Sequence, residues 1–101
     1  MKKKFRKSIG SETPTLVYFF ASWCVPCKLM RLVLKEVVEE FRTGLNYLEI
    51  DVELKKRIVK RYKIKGVPTL ILFKRGTPQW RHTGVMPVED IRIAIKQQIY
   101  I

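Results

Sequence analysis

The sequence predicts an α/β fold, a mixed sheet of four strands with helices on both faces, and three observations carry that expectation. The spacing of apolar residues switches repeatedly between the period of a strand and that of a helix. The segments so defined run strand, helix, strand, helix, strand, strand, helix. The opening strand-helix-strand unit favours a parallel pair, whereas the last two strands, joined only by Arg75-Gly76, form an antiparallel hairpin. With 101 residues, 47% of them hydrophobic, residues 1–101 suit a single domain around one core.

Each element has its own reason. Thr15 to Ala21 is a continuous apolar run rich in aromatic and branched residues, as in a strand buried on both faces, and Pro14 fits its start. From Pro26, the residues Cys27, Met30, Leu34, Val37, Val38 and Phe41 recur at helical spacing, giving a long amphipathic helix that ends near Gly44. Leu45 to Asp51 reads as a strand with Tyr47 and Glu49 on one face and Leu48 and Ile50 on the other. Glu53 to Tyr62 reads as a short basic helix with Leu54, Ile58 and Tyr62 one turn apart. Pro68 to Lys74 is a second apolar strand, and Pro78 to Thr83 a more polar one suited to a sheet edge. Pro87 opens a last helix, with Glu89 and Asp90 at its positive end, Lys96 near its negative end, and Val88, Ile91, Ala94, Ile95 and Ile99 as its buried stripe.

Composition narrows the function classes. No apolar stretch approaches the roughly 20 residues of a membrane span. The basic start, Lys2 to Lys7, leads into Gly10-Ser11-Glu12-Thr13-Pro14 rather than the apolar core of a secretory signal, so the expectation is a cytoplasmic protein with no membrane association. A net charge of +12 favours acidic protein surfaces, nucleic acid or anionic membranes in general. The basic run from Lys55 to Lys65 lacks the interleaved exposed aromatics of a single-strand binder and reads as a solvated face, which argues against nucleic acid.

Two cysteines separated by two residues close too small a loop to act as a structural staple, so Cys24 and Cys27 read as a reactive pair. They fall between the first strand and the long helix, with Cys24 at the helix N-terminus and Cys27 one turn inside. Unsatisfied amide N–H groups and the helix dipole favour a thiolate at Cys24, the nucleophile, and Lys28 adds to this. Cys27 is the resolving thiol, attacking the Cys24 sulfur of a mixed disulfide. Pro26 forfeits no helical hydrogen bond in the first turn, and Val25 stiffens the same turn.

Trp23-Cys24-Val25-Pro26-Cys27-Lys28 after an apolar strand, Gly66-Val67-Pro68-Thr69 before another, and Gly84 after the hairpin together resemble the thioredoxin family over nearly the whole chain beyond about residue 14. The resemblance implies a thioredoxin fold and a dithiol/disulfide oxidoreductase that reduces protein disulfides, recycled by a thioredoxin reductase, with no bound cofactor or metal, and acting as a monomer. It implies that Pro68 is cis, and that Val67 offers its backbone to an extended substrate flanked by Trp23, Val25, Pro26 and Val85. It also exposes departures. Family members bury an aspartate and pair it with a lysine where this chain has Tyr18 and Tyr47, leaving water, Glu49 or another base to take the proton of Cys27. Val25 stands where a glycine is usual. The N-terminal region is too short for the usual extra strand and, with Phe5 and Ile9, leaves only a clipped helix. The +12 charge points to acidic surfaces on the reductase or substrates.

Rival readings have weaker support. A closed zinc site needs a second ligand pair that the sequence lacks. His82, the only histidine, falls on the edge strand far from the dithiol in sequence. A disulfide oxidant or isomerase differs from a reductase in potential, near −120 mV at the oxidising extreme. A non-redox binding module with a basic surface is the alternative from outside the enzyme class.

Overall fold

Burial on both faces is what places Thr15–Phe20 (β1) inside the sheet: its first five residues are buried, as are those of Thr69–Lys74 (β3). The computed structural model describes residues 2–99. Around these two strands lie Asn46–Asp51 (β2) and Thr77–Thr83 (β4), in the order β2-β1-β3-β4. The β1/β2 pair is parallel with Tyr18 opposite Glu49, β1/β3 is antiparallel with Tyr18 opposite Leu70, and β3/β4 is an antiparallel hairpin. Arg75 and Gly76 both take positive φ, 54° and 83°, the backbone that a two-residue hairpin turn requires.

Alternation along β1 and β3 sends side chains to two layers. Leu16, Tyr18, Leu70 and Leu72 meet Met30, Leu34 and Val37 of helix α2 (Val25–Glu40) and Ile91 and Ile95 of α4 (Val88–Ile99). Val17, Phe19, Ile71 and Phe73 meet Phe5 and Ile9 of α1 (Lys2–Ile9) and Ile58 of α3 (Lys56–Arg61). The short N-terminal helix expected from Phe5 and Ile9 is therefore present. Arg92 joins the outer helices, donating to Glu40 at 2.6 Å and to Glu89 at 3.0 Å.

Several boundaries differ from the sequence reading. The long helix stops at Glu40 because Phe41 caps it through a bond to the Val37 carbonyl, and residues 41–44 form a turn. The basic helix starts at Lys56 rather than Glu53, since the Asp51 carboxylate accepts the Glu53 N–H and the Asp51 carbonyl accepts those of Leu54 and Lys55, fixing a turn instead. Leu54, aligned by spacing with Ile58 and Tyr62, is consequently 73% exposed and contributes nothing to the core.

The hairpin turn is fastened to the α1–β1 linker by Arg75 and Gly76 N–H bonds to the Ser11 and Ile9 carbonyls. Arg75 also grips Glu12 with two bonds, of 2.9 and 2.8 Å, and this guanidinium holds the Glu12 carboxyl below the ordinary range. A depressed carboxylate stabilises the fold above its unfolded value of about 4.3 and loses that contribution as pH falls through its folded value. Arg75→Gln is therefore expected to lower the urea midpoint slightly at neutral pH and not at all in strong acid; an equal loss at both pH values would contradict the linkage.

Candidate active site

The site forms where β1 ends and α2 begins. The Phe20 carbonyl accepts the Val52 N–H and the Ala21 carbonyl accepts the Cys24 N–H at 3.1 Å, so the chain turns sharply before the helix. Cys24 is the N-cap residue with extended backbone, φ −85° and ψ 109°, and Pro26 lies in the first turn. The Cys27 N–H donates to Cys24 Sγ at 3.2 Å, the bond that a serine or aspartate makes at this position. Cys24 and Cys27 are joined as a disulfide, their Cα atoms 5.3 Å apart. The pair is well covered, at 4% and 3% exposure, and packs into the α2/α4 layer.

Around it stand the other residues that the sequence singled out. Trp23 and Val25 are each 66% exposed, Pro26 is exposed, and Val85 is half exposed. The Val67-Pro68 peptide bond is cis, as the resemblance implied. Register places these residues together: Phe19 pairs with Thr69, so Val67 and Pro68 reach the same sheet end as Phe20 and Ala21. The Gly84 N–H donates to the Pro68 carbonyl at 2.8 Å, carrying Val85 to that end as well. Val67 packs against the cluster that contains both cysteines, and among the described residues neither its N–H nor its C=O joins a backbone hydrogen bond.

Three contacts around the dithiol have no local signal in the sequence. Glu53 accepts the indole N–H of Trp23 at 3.0 Å, pinning an otherwise exposed ring beside the dithiol; a partner 30 positions away leaves no local signal. Arg31 sits over the Phe20 ring at 4.9 Å and bonds Glu49 at 3.0 Å. Tyr18 donates its hydroxyl to the Cys27 carbonyl and stacks on Phe20. Lys28, Arg31 and Lys35 line an open groove of about 370 Å³ that also touches Cys27.

The two tyrosines are fixed as neutral donors. Burial pushes the Tyr18 hydroxyl up, and burial together with a bond to Glu49 at 2.8 Å pushes Tyr47 up further. Glu49 uses one oxygen for Arg31 and the other for Tyr47, so the carboxylate considered as a proton acceptor is already engaged. His82 stacks against Trp80 on β4, its rings 6.4 Å apart. Among the described residues no group of three or more His, Cys, Asp or Glu side chains is placed to hold a metal ion.

Comparison with known proteins agrees with this geometry. A family model described as thioredoxin matches residues 1–97. The chain is 41% identical over 81 residues to a chloroplastic thioredoxin Y of Oryza sativa subsp. japonica, covering 80% of this chain and 48% of that protein. It is also 41% identical over 82 residues to the thioredoxin-like protein slr0233 of Synechocystis sp., covering 81% of this chain and 78% of the other. Thus it spans about half the length of the rice relative and most of the cyanobacterial one. Among solved structures, a thioredoxin of Malassezia sympodialis superposes with a TM-score of 0.88 at 25% identity, covering 95% of this chain and 84% of that one. Mitochondrial thioredoxin 3 of Saccharomyces cerevisiae gives 0.85 at 25% identity, with 95% and 89% coverage.

Proposed function

The chain belongs to the thioredoxin family of thiol–disulfide oxidoreductases, and on that premise we propose that it is a protein-disulfide reductase with Cys24 as nucleophile and Cys27 as resolving thiol. The observation that carries the assignment is the bond from the Cys27 N–H to Cys24 Sγ at the N-cap. In the reduced protein that donor and the helix dipole favour the Cys24 thiolate.

The steps balance. Cys24 thiolate attacks one sulfur of a substrate disulfide; the S–S bond breaks, the other substrate sulfur leaves as a thiolate, and a mixed disulfide forms. Cys27 gives its proton to water in the groove beside Lys28 and Arg31, attacks Cys24 Sγ and displaces the second substrate thiolate. The substrate gains two electrons and the protein is left with its Cys24–Cys27 disulfide. A thioredoxin reductase would return the two electrons, in keeping with a reducing, cytoplasmic setting and a monomeric chain that needs no bound cofactor.

Substrate binding rests on main chain. The Val67 N–H and C=O, free of backbone partners, suit the addition of a short extended peptide, with exposed Trp23, Val25, Pro26 and Val85 contributing apolar contact and Pro68 holding the approach. Recognition of this kind is broad in sequence.

Cys27→Ser tests the assignment by removing the resolving step. Incubated with a disulfide-bonded protein, this variant is expected to accumulate a reductant-sensitive adduct through Cys24, identified by peptide mass spectrometry. Adducts formed at no greater yield than with Cys24→Ser would overturn the assignment.

A further inference from the structure

The charge of +12 is confined to one part of the molecule. Residues 2–9 contain five Lys and Arg, residues 55–65 contain seven, and neither segment contains an Asp or Glu. The nine remaining Lys and Arg are matched by all nine carboxylates of the chain, so the rest, dithiol included, is formally neutral.

The fold joins the two segments. Helices α1 and α3 cover the same face of the sheet, with the Phe5 and Tyr62 rings 5.9 Å apart and both against Phe73. Between them lies a groove of about 550 Å³ that Arg6, Arg57 and Arg61 line. Among the described residues none of these three arginines forms an ion pair; the four that do, Arg31, Arg42, Arg75 and Arg92, all belong to the balanced remainder. Like charges gathered without counter-charges repel, and a polyanion laid across them relieves the repulsion.

What this face lacks decides the polyanion. Every exposed large apolar side chain, Trp23, Val25 and Val85 among them, lies outside both segments. A protein partner would want an aromatic or aliphatic anchor. A bilayer would want an apolar helix face, yet Phe5, Ile9 and Ile58 are turned into the core. Phe5 is buried and Tyr62 is half-buried with Arg61 over its ring at 5.7 Å, so no aromatic is free to stack on unpaired bases. A duplex backbone needs only cations, and the molecule, 34 by 29 Å in its longer dimensions, spans roughly eight to ten base pairs at about 3.4 Å each.

We propose that the α1/α3 face binds the phosphate backbone of double-stranded nucleic acid, without reading bases, while the dithiol, packed in the opposite layer, lies away from the contact. The run from Lys55 to Lys65 reads as a solvated face when taken alone; α1 supplies the half that sequence proximity does not.

Fluorescence anisotropy with a labelled DNA duplex of mixed sequence, over a salt series, tests this on the full chain. The parent is expected to bind at low salt and to weaken steeply with salt. The combined variant Arg6→Gln, Arg57→Gln, Arg61→Gln is expected to weaken binding by about tenfold or more and to lower the salt exponent by about 2 to 3. Lys35→Gln, Arg42→Gln, Lys96→Gln together change net charge equally and are expected to have a much smaller effect; circular dichroism checks that both variants fold. Absence of binding by the parent, or equal loss in the two variants, would overturn the proposal. So would equally tight, equally arginine-dependent binding of single-stranded DNA, polyglutamate or anionic phospholipid vesicles.

Discussion

Cys24→Ser is expected to lower the turnover of a protein-disulfide substrate on the order of a thousandfold or more, the scale seen when a covalent nucleophile is removed. The fold should be retained, because serine is a preferred N-cap and its hydroxyl can accept the Cys27 N–H that Cys24 Sγ now accepts. Loss of activity with a urea midpoint unchanged from that of the reduced parent, which like the variant lacks the Cys24–Cys27 bond, therefore separates chemistry from stability. Cys27→Ser should likewise fail in turnover but still complete the first exchange, a split that no purely structural role of the pair produces. Retention of most of the parent's turnover by Cys24→Ser would return the chain to the class of binding modules.

Phe73→Ala is expected to cost about 3 to 5 kcal/mol, the range for a fully buried phenylalanine. Phe73 has no exposed surface, and its ring meets Phe5 at 6.0 Å and Tyr62 at 5.1 Å, both edge-on, so it holds the α1 side and the chain after α3 to the sheet together. Against a total stability of about 5 to 15 kcal/mol, that is a large share. Urea denaturation with an unchanged slope is the measurement. A cost below about 1 kcal/mol would mean that the α1/α3 layer is not packed as described.

Much of this was legible because local patterns matched long-range demands. The apolar run at Leu16–Phe19 had to be an inner strand, and Cys24-Val25-Pro26-Cys27 could sit only where a strand gives way to a helix. Other features depend on partners distant in sequence. Leu54 has helical spacing to Ile58, but the Asp51 carboxylate and carbonyl capture the three N–H groups that would start an earlier helix. Arg31 reads as a solvated helix charge until β2 brings Glu49 to it and β1 places Phe20 beneath it. Tyr18 was legible as a departure from the aspartate of the resembled family, but not that its hydroxyl meets the site on the Cys27 carbonyl rather than on a thiol. Charge segregation is likewise invisible in the total of +12 and plain once α1 lies beside α3.

The most direct measurement is the pH dependence of alkylation of each cysteine in the reduced protein, read peptide by peptide. Cys24 is expected to react first, along a single ionisation curve with a midpoint below the free-cysteine value of about 8.5, because Tyr18 and Tyr47 are both held protonated through this range. Equal reactivity of Cys24 and Cys27 at the free-cysteine midpoint would contradict the account.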